Sequence, residues 1–148
     1  MARLLPGTGM RVRRGRRRDL AQVQAVLHAG SSERLDRSWR RLLADLGADI
    51  YVAEDPGGEI VGVVSLVYAR SLVRGGVSAT LDGVRARHES AAPVLEGLVA
   101  FAEERARRRG CRRLTAWVDA DDPALRAALL ARGYRSGELL VTELAEPA

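Results

Sequence analysis

The sequence predicts a single α/β (α+β) domain, built on a central mixed, mostly antiparallel sheet of six or seven strands flanked by about four helices. Three observations support this fold class. The length of 148 residues fits one domain. Successive β-rich runs in the middle of the chain are joined by short turns, and the last third alternates helix, strand and helix. A run of antiparallel strands followed by a β-α-β unit is typical of one mixed sheet covered by helices.

The first half of the chain begins with residues 1–9, which we expect to be a flexible leader before a domain that covers 10–148. Met10 to Arg14 is a short strand candidate. Asp19 is predicted to cap the next helix with Gln22 as its reciprocal partner, and Gly30 to end it. A second helix is predicted from an apolar stripe whose residues are spaced by four, three and four positions. The stripe consists of Leu35, Trp39, Leu42 and Leu46.

The second half contains the remaining elements. Strands are predicted over residues 50–54 and 60–68, around the turn sequence at 55–58, and over 77–86. Pro93 is predicted to open a helix that ends at Gly110. A strand at 114–118, a short helix capped by Asp122 and a final strand at 139–144 complete the domain.

Composition excludes several classes of protein. The chain has one cysteine and two histidines, too few for an intrachain disulfide or a convincing zinc cluster, so we expect no metal. Its strongest apolar run, residues 60–68, is about half of a membrane span. The first residues lack the apolar core of a signal peptide. We therefore expect a cytoplasmic protein that does not enter a membrane.

The basic residues are concentrated near the start. The net charge is +5, and all 24 basic residues are arginines, of which seven lie in the first 18 residues. Such a run can contact nucleic acid. No aromatic residue is interleaved with it to stack on a base. The pattern favours a solvated turn between strand and helix over a nucleic-acid partner.

Several stretches of the chain resemble the GNAT superfamily of N-acetyltransferases in their order and spacing. The matching stretches lie at 12–20, 51–66, 71–76, 109–115 and 121–134 and include Asp55-Pro-Gly-Gly58, Ser71-Leu-Val-Arg-Gly-Gly76 and Arg132-Gly-Tyr134. The resemblance covers nearly the whole chain. It implies transfer of an acyl group from acetyl-CoA or another acyl-CoA to the amine of a small molecule.

The resemblance also implies where the cofactor binds. Family members hold the pantetheine arm along the fourth strand and wrap the pyrophosphate with the amides of the following loop, at a helix N-terminus. The implied cofactor-binding residues here are Val84, Arg85, Ala86, Ser90, Ala91, Ala92 and Asp122. The loop at 87–95 departs from the family pattern because it contains no glycine and because Pro93 lacks an amide donor. This degenerate loop predicts a weakened grip on the cofactor, and Asp122 is better suited to capping a helix.

The implied catalytic residues are Asp82, where family members often carry a carboxylate base, and Tyr134. The family's proton-donating tyrosine is replaced by Leu129, and Tyr134 has the nearest hydroxyl, although its counterpart is usually a buried aromatic residue. The implied acceptor pocket consists of Trp39, Tyr68, Arg70, His88 and Glu89. Core packing remains an equal alternative for Tyr68, and a solvated loop is the alternative for His88 and Glu89.

Two functional hypotheses follow. One is a GNAT-type N-acyltransferase with a weakened cofactor grip. The alternative is a repurposed scaffold that does not use CoA, either as a silent binding or partner domain or as a catalyst of different chemistry in the former acyl pocket. An exposed strand at the edge of the sheet is compatible with a homodimer under either hypothesis.

Overall fold

A computed structural model describes residues 3–5, 7–28, 33–88 and 91–145, and they form one six-stranded sheet with four α-helices. The strands are β1 Arg3–Leu4, β2 Arg11–Arg14, β3 Ala48–Glu54, β4 Ile60–Arg70, β5 Val77–Ala86 and β6 Leu114–Ala116. The helices are α1 Leu20–Val26, α2 Glu33–Ala44, α3 Ala91–Arg108 and α4 Pro123–Ala131, with a 3-10 turn at Arg17–Asp19 before α1.

The strands lie side by side in chain order. β1 to β5 pair antiparallel, and β6 pairs parallel with β5 after the crossover through α3. A parallel neighbour requires such a crossover connection, whereas the antiparallel strands need only turns or, between β2 and β3, two short helices. This arrangement confirms the predicted fold class.

The sheet separates two apolar cores because successive strand residues face opposite sides. The larger core lies between the sheet and α3 and α4, and includes Val64, Leu66, Leu81, Leu98 and Leu125. The smaller core lies under α1 and α2, and includes Val23, Trp39, Ile50, Val52 and Val63. Helices therefore cover both faces, as the sequence predicts.

The predicted C-terminal strand is absent. Residues 134–145 have no regular secondary structure, and the side chains of Leu139, Leu140, Val141 and Leu144 are between 62% and 87% exposed. An extended segment becomes a strand only when a neighbour supplies hydrogen-bond partners. The prediction of a strand at 139–144 was wrong, because β propensity alone does not provide that neighbour.

The beginning of the chain also differs from the prediction. Arg3 pairs with Val12 and Leu4 with Arg11, so β1 extends the sheet beyond β2. Leu5 is only 3% exposed, and its side chain packs against Gly97 on α3. Residues 3–5 are therefore part of the domain and not of a flexible leader, since Leu5 completes the larger core.

Candidate functional site

The sheet opens between β5 and β6. The two strands pair only from Ala79 to Leu81, and a last backbone hydrogen bond joins the Trp117 N–H to the Leu81 carbonyl at 3.3 Å. Beyond this point residues 83–86 of β5 pair only with β4. The β6-facing edge of this half-strand therefore has backbone groups that no neighbouring strand uses.

Asp82 lies at the point where the opening begins. Ser65 of β4 pairs with Gly83, whereas the next β4 residue, Leu66, pairs with Leu81, so Asp82 is the additional residue of a β-bulge. Bulges change the direction of a side chain and are frequent beside active sites. Asp82 is exposed, and a Cβ added at Gly83 would meet no atom within 4 Å. The bulge therefore places one carboxylate next to open space.

Arg85 spans the opening. Its guanidinium group lies 3.2 Å from the Asp119 carboxylate and 3.1 Å from that of Asp122, and it also donates to the Val84 carbonyl at 3.0 Å. Asp122 simultaneously accepts a hydrogen bond from the Leu125 N–H at 3.2 Å and so caps α4, as its sequence context predicts. Two predicted cofactor-binding residues, Arg85 and Asp122, are thus brought together by an ion pair.

The N-terminus of α3 lies next to this opening along the chain. The helix begins at Ala91, two residues before the predicted start at Pro93, and its first turn has no acidic side chain. The first amides of a helix have no partner within the helix and favour anions. Arg87 lies nearby, with its guanidinium 3.0 Å from Glu59. Ala92 is exposed, whereas Glu89, Ser90 and the side chain of Ala91 lie outside the described residues.

Tyr134 lies against α3 instead of in the opening. Its hydroxyl donates to Glu103 at 3.1 Å, and Arg132 pairs with the same carboxylate at 2.6 Å. Burial and the Glu103 charge raise the pKa of Tyr134. Among the hydrogen bonds of the described residues, none joins Tyr134 to Asp82. The Tyr134 hydroxyl is therefore already engaged by Glu103 in this structure.

The residues of the predicted acceptor pocket lie in separate places. Trp39 is 6% exposed and donates its indole N–H to the Arg16 carbonyl at 3.1 Å, which makes it a core residue. Tyr68 is half-buried on the α3 face of the sheet, whereas Arg70 is exposed at the end of β4 and His88 is exposed after β5. Trp39 was predicted to line the acceptor pocket, but it lies in the smaller core. The reason is that it belongs to the apolar stripe of α2, and that stripe faces the sheet.

Sequence reasoning missed a buried carboxylate beside Tyr68. Asp49 is 1% exposed and accepts a hydrogen bond from the Tyr68 hydroxyl at 2.7 Å. Three guanidinium groups surround it at 3.2 to 3.4 Å, and they belong to Arg14, Arg105 and Arg109. The sequence does contain a signal for this site. Asp49 is a charged residue inside the apolar run of β3, and a charged residue is rarely buried without partners.

A cavity of about 1100 Å³ lies beside β6. Its walls include Trp117 and Val118, which follow β6, and residues 135–139 of the C-terminal segment. Asp119, the partner of Arg85, also lines it, whereas Asp82 does not. The apolar wall of the cavity reflects the missing seventh strand.

In the described parts of the chain, no group of three or more His, Cys, Asp or Glu residues could hold a metal ion. No helix in those parts is both long enough and apolar enough to cross a membrane.

Comparison with solved structures gives close matches over nearly the whole chain. A transcriptional regulator from Bacillus halodurans C-125 has 24% identity and a TM-score of 0.80, with 90% of this chain and 98% of that chain covered. The aminoglycoside antibiotic 6'-N-acetyltransferase AAC(6')-Ih from Acinetobacter baumannii has 17% identity and a TM-score of 0.77, with 95% and 100% covered.

A third match is AAC(6')-Iy in complex with the bisubstrate analog CoA-S-monomethyl-acetylneamine, with 13% identity, a TM-score of 0.77, and 93% and 99% covered. No protein-family model and no curated protein sequence matches the chain. The structural likeness extends across the sheet and both helical layers, so the protein has the fold of the GNAT acetyltransferases.

Proposed function

We propose that the protein is an N-acyltransferase that transfers an acyl group from acetyl-CoA or another acyl-CoA to the amine of a small molecule. The observation that carries this proposal is the opening between β5 and β6, with the Asp82 bulge at its inner end. The shared fold supports it, since AAC(6')-Iy was solved with a bisubstrate analog that contains CoA. A fold alone does not determine chemistry, so the proposal depends on the residues at this opening.

The residues present fit an acyl-CoA. The edge of β5 over 82–86 is covered by no strand and offers hydrogen-bond partners to the amide groups of a pantetheine arm, with the Val84 carbonyl already accepting from Arg85. The α3 N-terminus has no acidic residue in its first turn and suits a pyrophosphate. Arg85 is a half-buried cation at the opening, and it would have to exchange Asp119 and Asp122 for phosphate oxygens. This competition supports a weakened grip.

Besides binding the cofactor, the chain has to supply only a route for the protons of the acyl transfer. Acyl-CoA supplies a thioester whose carbonyl carbon is attacked by the amine nitrogen. A C–N bond forms, the C–S bond breaks, and one proton leaves the nitrogen while the thiolate gains one. Asp82 is the exposed carboxylate that can accept the proton from the amine. Tyr134 is occupied by Glu103, so we assign the proton on the thiol to solvent.

The location and the assembly belong to the same proposal. An enzyme that uses acyl-CoA and a small-molecule amine is expected in the cytoplasm.

The outer edge of β6 is open, and Trp117 beside it is 57% exposed. Exposed strand edges are sites of pairing with other chains. We therefore propose a homodimer that covers this edge.

A calorimetric titration with acetyl-CoA and CoA tests the cofactor. We expect saturable binding, and a flat response at millimolar concentrations of both would refute the transferase.

The catalytic assignment is tested separately with Asp82→Asn. This change should lower kcat by about 10²- to 10⁴-fold and leave the affinity for acetyl-CoA unchanged, because it removes a proton acceptor and no cofactor contact.

Asp121→Asn is the matched control. Asp121 is also exposed, and it makes no ion pair with a described residue. Its kcat should stay within about twofold of the parent, since neutralising a solvated carboxylate removes no reacting group. Equal losses of kcat in Asp82→Asn and Asp121→Asn would show that only the overall charge matters.

A further inference from the structure

A second cleft, of about 870 Å³, lies at the other end of β5. Its walls come from the turn between β4 and β5 and from the loop that joins α3 to β6. Val77, the first residue of β5, lines this cleft. Gly83 lies six residues further along the strand, which is about 20 Å at about 3.3 Å per residue. The cleft is therefore separate from the proposed cofactor opening.

The charged residues of this cleft are all cations. Arg74, Arg112 and Arg113 line it, and no Asp or Glu does. All three are exposed, and their guanidinium groups have no ion pair or hydrogen bond with any residue that the structure describes. Arg85, at the proposed cofactor opening, is by contrast already paired with two carboxylates. The donors of this cleft are therefore available to a ligand.

The backbone holds both walls in place. In the turn, the Ser71 N–H donates to the Gly76 carbonyl at 3.2 Å, and the Arg74 N–H donates to the Ser71 hydroxyl at 3.1 Å. In the loop, the Arg113 carbonyl accepts from the Ala79 N–H at 3.1 Å and so joins the loop to β5. The Cα positions of Arg74 and Arg113 are thus fixed before any ligand arrives, which lowers the entropic cost of binding.

Glycines keep the entrance open. Gly75 and Gly76 have φ values of +71° and +68°, and Gly110 has a φ of +84°, in the left-handed region where side chains are strained. A Cβ added at any of the three would meet no atom within 4 Å. The free space at the cleft is therefore a consequence of turn geometry that requires glycine.

Two of the last carbonyls of α3 are already hydrogen-bonded to the loop that follows the helix. The Gly110 N–H donates to the Arg107 carbonyl, and the Cys111 N–H donates to the Ala106 carbonyl, both at 2.9 Å. In the last turn of α3, Arg105 is paired with Asp49 and Arg108 with Glu104, so these two side chains add no uncompensated charge. The positive charge available to a ligand here is therefore that of the three cleft arginines.

We propose that this cleft binds a phosphate-bearing small molecule. Planar guanidinium groups match phosphate oxygens in charge and in hydrogen-bond geometry. The volume lies within the range of small-molecule sites of about 300–1000 Å³ and is too large for a phosphate group alone. The organic part of the ligand would pack on Val77 and on the apolar stems of the arginines. This inference does not depend on the proposed acyltransferase activity.

Inorganic pyrophosphate is a suitable probe, titrated calorimetrically into the full-length protein. We expect saturable binding that weakens as salt is raised. The double variant Arg112→Gln/Arg113→Gln should lower the affinity at least about tenfold, because it removes two charged donors. All the substituted side chains are exposed, so circular dichroism should show an unchanged fold.

Two controls locate the binding. Arg34→Gln/Arg37→Gln removes the same charge from exposed positions on α2 and should change the affinity less than about twofold. Arg85→Gln, at the proposed cofactor opening, should also leave it unchanged. Equal weakening by both double variants, a loss caused by Arg85→Gln instead, or no saturable binding would each overturn the proposal.

A nucleic-acid ligand is distinguished by a short single-stranded oligonucleotide. In our proposal it binds no more tightly than pyrophosphate and is displaced by it. An oligonucleotide that binds and that pyrophosphate does not displace would assign these arginines to nucleic acid and overturn the small-molecule site.

Discussion

Asp49 shows how one residue joins three elements. It lies on β3 and is bound by Arg14 of β2, Tyr68 of β4 and Arg105 of α3. Arg109, which directly follows α3, also reaches it. Burial by itself would raise the pKa of this carboxyl, but the Tyr68 hydrogen bond and the arginine charges outweigh burial and hold the pKa below its usual value. The carboxylate therefore remains charged, and the arginines depend on it for compensation.

Asp49→Asn should lower the free energy of unfolding by about 3–5 kcal/mol, because it leaves several guanidinium groups around a neutral amide. Urea denaturation measures this loss. Asp121→Asn, at an exposed position, is the control and should cost less than about 0.5 kcal/mol. A similar small cost for both variants would mean that the arginines turn to solvent without loss.

Acid should destabilise the protein through three paired carboxylates. The pKa values of Asp19, Asp49 and Glu103 are all lowered in the folded state, by Arg13 for Asp19, by Tyr68 and then the arginines for Asp49, and by Arg132 for Glu103. A lowered folded pKa contributes stability that is present above the unfolded value of about 4 and is lost as the pH falls through the folded value. The free energy of unfolding should therefore decrease steeply below about pH 4.

Urea denaturation at a series of pH values between about 7 and 2.5 measures this dependence. Asp49→Asn should flatten the acid limb of the curve, since it removes one of the linked groups. Stability that is independent of pH over this range would contradict the pairing described for all three carboxylates.

At the scale of elements, the contact between β4 and α3 depends on a glycine. A Cβ added at Gly62 would lie 2.9 Å from the side chains of both Leu98 and Val94, and 3.3 Å from the Arg85 carbonyl. The absence of a side chain on β4 therefore allows α3 to approach the sheet closely, next to the strand end that forms the opening. This closeness helps to position the α3 N-terminus beside β5.

Gly62→Ala should lower the free energy of unfolding by about 1–3 kcal/mol, since two buried side chains and the backbone must move. Gly83→Ala is the matched control in the adjacent strand, because its Cβ would enter open space. Thermal or urea denaturation of both variants tests the difference. Equal effects would show that strand propensity matters and not packing against α3.

In the turn between β2 and α1, the predicted pairing of the cap residues was wrong. Asp19 was predicted to cap the helix with Gln22, yet its carboxylate accepts from the Arg16 N–H and from both terminal nitrogens of Arg13. Gln22 instead accepts from the Ile60 N–H on β4 at 2.9 Å. Side chains near a helix start have several local partners, and tertiary neighbours decide among them.

At the scale of the whole molecule, the chain has an open strand edge and an unpaired apolar segment at the same side. The cavity beside β6 contains both Trp117 and Leu139 in its walls, and both are more than half exposed. Apolar surface of this kind marks interaction sites. This arrangement is the physical basis for the proposed homodimer.

Sedimentation velocity over a range of protein concentrations should therefore show a dimer. Trp117→Glu should shift the equilibrium toward monomer by at least about tenfold in the dissociation constant, because it places a charge at the centre of the proposed interface. Leu72→Glu is the control, since Leu72 is fully exposed in the β4–β5 turn, away from β6. A monomer at all concentrations, or an equal shift in the control, would exclude an interface at β6.

The sequence alone determined the fold class, the order of the main strands and helices, and the capping role of Asp122, since periodicity, glycine stops and caps are local properties. The fate of residues 139–144, the core position of Trp39 and the hydrogen bond of Tyr134 to Glu103 required the tertiary structure. Each depends on which distant groups meet. The bulge at Asp82, the ion pairs of Arg85 and the arginine cleft arise from strand register and from the packing of loops far apart in the chain, which no local pattern encodes.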